Sequence, residues 1–130
     1  MKKFFPLFLS TFFLTSCVST VSFSASYHQI TPVEAEKIMS QQTGYVILDV
    51  RTPEEFAQRH IPQAINVPNE IIGTDPISEL PNKEQMILVY CRSGRRSKEA
   101  AKKLCDLGYT NVVEFGGIID WQGETVSEIN

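Results

Sequence analysis

A cysteine followed closely by a glycine and three arginines is the part of this sequence best suited to chemistry. Cys91 comes directly after the apolar run 86–90, at a point where the chain turns toward a polar helix. Such a turn can point successive backbone N–H groups inward and form an anion-binding concavity. The loop consists of Arg92, Ser93, Gly94, Arg95 and Arg96.

The loop predicts both the nature of the reacting group and the charge of its substrate. Helix N-termini and neighbouring cations favour the cysteine thiolate, which is the nucleophilic form. The guanidinium fork of arginine matches the geometry of oxyanions, and a basic loop on an acidic chain attracts small anions. We therefore predict that Cys91 is a nucleophile and that its substrate is a small, negatively charged electrophile. Cys105, four residues after Ala101 on the apolar side of the predicted helix, is expected to be a packing residue instead.

Composition excludes several other kinds of site. The chain has 130 residues, three cysteines, two histidines and a formal net charge of −3. No cysteine pair has the spacing of a zinc or thioredoxin-type site, and His28 and His60 are far apart in sequence. The acidic balance disfavours nucleic acid as a partner. We predict a single domain with no metal and no cofactor, whose chemistry depends on its side chains.

The elements that position Cys91 follow from helix-start signals and short apolar runs. Thr31 with Glu34, and Thr52 with Glu55, each form a capping box with proline at the first helical position. One predicted helix covers 32–41, a second begins at 53 and a third begins at 97. The predicted strands cover 45–50, 64–67, 86–90 and 112–115, with Gly116 and Gly117 as a turn after the last one.

This alternation predicts an α/β fold over residues 31–127. Its three layers are a central, mostly parallel sheet and helices on both faces. Ligands bind at the carboxyl ends of the strands in such folds, which is where Cys91 falls. Asp49 and Arg51 end a neighbouring strand, and we predict that they support the site from there.

The first residues have the features of an export signal. Lys2 and Lys3 precede the apolar run 4–14, which is too short to span a bilayer. The run ends in a lipobox-like segment before Cys17, so residues 1–16 are predicted to be a signal peptide and Cys17 the site of lipidation. The serine-rich segment 17–26 would then be a flexible tether. The protein is expected in the periplasm, attached to a membrane only through Cys17; ordinary cleavage further along would leave it soluble.

From Thr31 to about Thr125 the sequence resembles a rhodanese domain. Arg59 and Gln63 depart from the common pattern, in which glycines often stand at these two positions. The blocks that carry the resemblance are Leu48 to Arg51 with Pro53 to Phe56, His60 to Pro62 with Ala64 to Pro68, Cys91 with its loop, Gly108 and Tyr109, and Gly116 and Gly117 with Trp121.

The resemblance implies a rhodanese-like fold and sulfurtransferase chemistry without a cofactor. Cys91 would take the sulfane sulfur of thiosulfate or a similar anionic donor, become a persulfide, and pass the sulfur to cyanide or a thiol. Residues Arg92, Ser93, Gly94, Arg95 and Arg96 would hold the donor. His60 has no chemical role in this scheme and is predicted to be structural.

Two alternatives use the same cysteine differently. Cysteine phosphatases place five residues between the cysteine and a closing arginine, whereas the sixth position after Cys91 is Ser97, which disfavours that reading. A rhodanese-fold module could instead bind a partner, carry sulfur or sense oxidants without turnover. Only turnover with an acceptor separates such a module from an enzyme.

Overall fold

The computed structural model describes residues 26–129 together with residues 2, 3 and 6. Within this part of the chain, the central sheet contains five parallel strands. The strands are β1 (His28–Gln29), β2 (Val46–Asp49), β3 (Ile65–Asn66), β4 (Ile87–Cys91) and β5 (Val112–Gly117). The helices are α1 (Pro32–Gln41), α2 (Pro53–Gln58) and α3 (Arg95–Asp106), with short 3-10 helices at Asn69–Ile71 and Ile118–Asp120. The strand order is β1-β5-β4-β2-β3.

Apart from residues 2, 3 and 6, the predicted signal peptide lies outside the described residues, as do the lipidation site at Cys17 and nearly all of the predicted tether. Among the residues that the structure does describe, no helix is both long enough and apolar enough to cross a membrane.

Both predicted capping boxes are present and fix where two helices begin. The Glu34 N–H donates to Thr31 Oγ1 at 3.2 Å, and the Thr31 N–H donates to Glu34 Oε2 at 2.7 Å. Thr52 and Glu55 make the same reciprocal pair at the start of α2. Each box satisfies N–H groups that have no partner inside the helix.

Helices pack on both faces of the sheet, as predicted. Leu48 and Val89 face α3, where they form one core with Ala100 and Leu104. The alternate strand positions point to the other face, where a second core contains Ala35 of α1. Strand β4 is buried along its whole length because it lies at the centre of the sheet with a core on each side.

The last strand extends beyond its predicted end. We predicted that Gly116 and Gly117 would turn away after residue 115, but β5 continues to Gly117. The register between β4 and β5 shifts after Val89, and Cys91 then pairs with Gly117. This pairing across strands is not visible in the local sequence.

Helix α3 also differs from its prediction, because it begins at Arg95 rather than Ser97. Gly94 has a φ of 108°, a left-handed conformation that favours glycine and reverses the chain within the loop. The first helical turn is polar, so the apolar periodicity that predicts the helix starts later than the helix itself. Strand β1 was missed because its two exposed residues have no pattern.

Candidate active site

Cys91 is the last residue of the central strand and lies at the carboxyl edge of the sheet. Its side chain is 1% exposed. The Gly94 N–H donates to Cys91 Sγ at 2.9 Å, and Ser97 Oγ lies 3.4 Å from the same sulfur. One backbone N–H of the loop, that of Gly94, therefore points at the sulfur, whereas the anion-binding turn predicted from the sequence would direct several N–H groups inward.

The close packing of the loop depends on Gly117, the last residue of β5. A Cβ atom on Gly117 would lie 1.9 Å from the carbonyl oxygen of Arg92 and 2.6 Å from the nitrogen of Ser93. The loop backbone therefore rests directly on the strand backbone. Gly117 was predicted to be a turn residue, whereas in the structure it provides the space that the loop occupies.

Ser97 connects the cysteine to a buried carboxylate that sequence analysis did not identify. Its Oγ lies 2.6 Å from Glu114 Oε1, and Glu114 is only 2% exposed. The Gly116 N–H also donates to Oε1 at 2.8 Å. The available signal was a charged residue inside the apolar run of the last strand.

The predicted donor-binding residues have different environments. Arg92, Ser93 and Arg95 are exposed, while Gly94 is buried beneath them. Arg92 also lines a cavity of about 290 Å³ next to the loop, together with Arg59. The exposed arginines are thus accessible to an anion approaching from solvent.

Arg96 forms an ion pair with a carboxylate of α2. Its Nη1 and Nη2 atoms lie 2.7 and 3.0 Å from the two carboxylate oxygens of Glu55 at the start of α2. The hydrogen bond from Arg96 lowers the pKa of Glu55 to about 2. Both outer nitrogens of Arg96 are thus engaged, and its guanidinium links the start of α3 to the start of α2. The role of Arg96 in holding the donor stays a prediction.

Asp49 and Arg51 form a buried pair at the neighbouring strand end. Arg51 Nη2 lies 2.6 Å from Asp49 Oδ2, and Arg51 Nε lies 3.0 Å from Asp49 Oδ1. Arg51 Nη2 also donates to the backbone carbonyl of Arg59 at 2.5 Å. Asn66 Nδ2 donates to the carbonyls of both Asp49 and Arg51. This network fixes the carboxyl end of β2 next to β3, and Arg51 lines the same cavity as Arg92.

His60 has the contacts of a structural residue. Its ring stacks on Phe56 with centroids 3.8 Å apart, and Nδ1 lies 2.8 Å from the Phe56 carbonyl oxygen. Its backbone pairs with Val126 through two hydrogen bonds of 2.9 Å. These contacts attach the C-terminal segment to the end of α2.

Comparison with known proteins identifies the family of this chain. A family model described as "Rhodanese-like domain" matches residues 31–124. This chain belongs to the rhodanese-like domain family. A sulfurtransferase of Allochromatium vinosum is 44% identical over 96 residues, which cover 71% of this chain and 88% of that protein. The thiosulfate sulfurtransferase PspE of Escherichia coli is 38% identical over 73 residues, or 56% of this chain and 70% of the relative.

Solved structures give the same fold. A structure titled "rhodanese with anions from E. coli" superposes with a TM-score of 0.59 at 35% sequence identity, covering 64% of this chain and 98% of that one. The rhodanese-like domain of the Alr3790 protein from Anabaena has a TM-score of 0.70 at 26% identity, covering 76% of this chain and 78% of that one. The homologues support sulfurtransferase activity in general.

Proposed function

We propose that this rhodanese-like domain transfers the sulfane sulfur of thiosulfate, or of a similar small anionic donor, through a persulfide on Cys91 to cyanide or a thiol. The observation that carries the proposal is the position of Cys91 Sγ at the edge of the sheet, with the Gly94 N–H directed at it from 2.9 Å. The proposed cycle needs neither a metal nor a cofactor.

The first half of the cycle forms the persulfide. Deprotonated Cys91 attacks the outer sulfur of thiosulfate, a new S–S bond forms, and sulfite leaves with the electrons of the old S–S bond. The persulfide keeps the negative charge on its terminal sulfur. Loop N–H groups and the N-terminus of α3 stabilise that charge, as an oxyanion hole does in acyl transfer. In the second half, a nucleophilic acceptor takes the terminal sulfur and the Cys91 thiolate returns.

Exposed cations are assigned the donor-binding role. Arg92 and Arg95 are exposed on the loop, whereas Arg96 is paired with Glu55. We assign electrostatic attraction of the donor to Arg92 and Arg95, and a positioning role to Arg96. Asp49 and Arg51 support the site by fixing the neighbouring strand end.

Intact-protein mass is the direct test of this function. The reduced protein is mixed with thiosulfate, its mass is measured, and cyanide is then added while thiocyanate is detected. We expect a gain of one sulfur atom that cyanide removes over repeated turnovers.

Cys91→Ser and Cys105→Ser form the matched pair of variants. The first is expected to lose sulfur uptake completely, and the second to keep it. A folded, reduced wild-type protein that takes up no sulfur would contradict the proposal. Uptake without turnover would indicate a sulfur carrier or redox sensor on the same fold.

We also propose that the protein is exported and anchored by a lipid on Cys17. The support is the sequence pattern of a charged start, a short apolar run and a small-residue segment before the cysteine. Expression of wild type and Cys17→Ser in a bacterium, followed by membrane fractionation and mass analysis of the N-terminus, tests this. We expect the wild type in the membrane fraction with a lipid-modified N-terminal cysteine, and the variant without the lipid. A soluble wild type cleaved within residues 18–26 would indicate ordinary secretion.

A further inference from the structure

Glu114 is a buried ionisable residue that the proposed cycle does not use. Its side chain is 2% exposed and lies on β5, on the same side of the sheet as α3. Oε1 accepts hydrogen bonds from Ser97 Oγ at 2.6 Å and from the Gly116 N–H at 2.8 Å, while Oε2 lies 3.5 Å from Gln29 Nε2. Burying a carboxylate costs free energy, and these three donors offset that cost. Only the side chain of Ser97 lies between Glu114 and Cys91 in this chain of contacts.

Ser97 is the only side chain in the described region that bridges Cys91 and Glu114 by hydrogen bonds, and it has a single hydroxyl proton. Its Oγ lies 3.4 Å from Cys91 Sγ and 2.6 Å from Glu114 Oε1. If Ser97 donates to Glu114, it can only accept from a Cys91 thiol. If Cys91 is anionic, Ser97 can donate its hydrogen to the sulfur only when Glu114 no longer accepts that hydrogen, which is the case once Glu114 is protonated.

We propose that Glu114 takes up the Cys91 thiol proton through Ser97 and holds it while Cys91 carries anionic sulfur. Because Glu114 acts through Ser97, it is a positioning residue for the proton and not a group that touches the substrate. The inference rests on the proposed sulfur transfer and deepens it by naming the base.

The proton transfer balances without any further reactant. The Cys91 S–H bond breaks and its proton moves to Ser97 Oγ, while the original Ser97 proton moves to Glu114 Oε1. The sulfur keeps the electron pair and attacks the donor. Ser97 then donates to the anionic sulfur, and neutral Glu114 donates back to Ser97. When the acceptor has removed the terminal sulfur and the thiol reforms, the two protons return along the same path.

Electrostatics favour one shared negative charge over two. Cys91 and Glu114 are both nearly inaccessible to water, and two neighbouring buried anions repel each other strongly. The arginines at the start of α3 do not pair with Glu114, because Arg96 is paired with Glu55 and Arg95 is exposed. If the proton stays inside the site, the total charge of Cys91 and Glu114 therefore remains constant as the sulfur becomes anionic.

Infrared difference spectroscopy can detect the protonated carboxyl group. The spectrum of the Cys91 persulfide, loaded with thiosulfate, is compared with that of protein alkylated by iodoacetamide, in which the sulfur is a neutral thioether. We expect a carboxylic-acid C=O band in the persulfide that shifts to lower frequency in D2O. A persulfide confirmed by mass that shows no such band would overturn the inference while leaving the proposed function intact.

Two variants assign the band, and a third is the control. Glu114→Gln keeps an acceptor for Ser97 and Gly116 but cannot take a proton, so the band should vanish and single-turnover sulfur uptake should slow by roughly a hundredfold, within the range for a lost general base. Ser97→Ala should also remove the band, although Glu114 is still present. Glu79→Gln, on the surface, should change neither readout.

The remaining outcomes are also decisive. A purely structural role for Glu114 predicts an unchanged uptake rate in Glu114→Gln, and that result, or a band that survives in this variant, would overturn the inference. If Glu114→Gln does not fold, the Ser97→Ala spectrum and the D2O shift in the wild type decide the question. If thiosulfate loads no sulfur, the proposed function fails, and inorganic polysulfide is used to load Cys91 instead. Failure of both donors to form a persulfide would overturn this inference as well.

Discussion

Two free, buried cysteines at opposite ends of α3 have different surroundings. Cys91 precedes the helix and is 1% exposed, while Cys105 lies in its last turn and is 6% exposed. The Cys91 sulfur has a backbone N–H and a hydroxyl within hydrogen-bond distance. Cys105 packs in the apolar core, and burial raises the pKa of its thiol. Burial therefore does not distinguish the two cysteines, whereas the polar groups around the sulfur do.

Among the variants that keep Cys91, the largest expected loss of activity comes from Gly117→Ala. The added Cβ would lie 1.9 Å from the Arg92 carbonyl oxygen, so the loop must move off the strand. A displacement of about 1 Å at a catalytic group can cost roughly a hundredfold in rate, and we expect a loss of at least that size. Steady-state thiocyanate production measures it.

Gly73→Ala is the matched control for that variant. No atom lies within 4 Å of a Cβ at this position, and its backbone is not left-handed. Its activity should equal that of the wild type. A Gly117→Ala protein with normal activity would show that the close contact between loop and strand is not required.

A smaller effect is expected from Glu55→Gln, which removes the partner of Arg96. The folded pKa of Glu55 is lowered to about 2 from an ordinary 4.5, so its stabilising effect is present above pH 4.5 and disappears as the pH falls through 2. The pair is partly exposed and bidentate, and we expect the variant to lose about 1 kcal/mol of stability at neutral pH. Urea unfolding at several pH values measures the difference.

Glu54→Gln provides the control for the charge change, since Glu54 is exposed on the same helix. It should unfold like the wild type across this pH range. A Glu55→Gln protein whose destabilisation is as large at pH 2 as at pH 7 would contradict the ion-pair explanation.

The smallest functional effect is expected from Cys105→Ser. The substitution places a hydroxyl in an apolar core, which should lower the free energy of unfolding by about 1–2 kcal/mol. Sulfur uptake by Cys91 should be unchanged in the folded variant. Reduced uptake at a temperature where the variant is fully folded would remove the functional distinction between the two cysteines.

Local patterns were enough to predict much of the fold and to single out Cys91 as the candidate nucleophile. The two capping boxes were predicted correctly because each one involves residues three positions apart, and β4 was recognisable as a continuous apolar run. Cys91 stood out because its loop combines glycine and arginine within a few residues.

Contacts between distant segments were not predictable in this way. The Glu55–Arg96 pair joins residues 41 positions apart, and Ser97 and Glu114 are 17 positions apart. The partner of Arg96 and the buried Glu114 beside Ser97 were therefore not identified from the sequence. The left-handed backbone at Gln63, with a φ of 70°, gives a physical reason for the glycine that many rhodanese relatives have at this position.

The register shift between β4 and β5 has a consequence for how this domain could be altered. Val89 pairs with Glu114, but Cys91 pairs with Gly117, so β5 uses one residue more than β4 over this interval. Because of that additional residue, the pairing of β4 with β5 at the carboxyl edge of the sheet is offset by one position from their pairing in the rest of the sheet. Removing one residue from 115–116 would restore a regular ladder but place Glu114 and Gly117 one position too close together. The exact number of residues in this short stretch is thus as strongly constrained as their chemical identity.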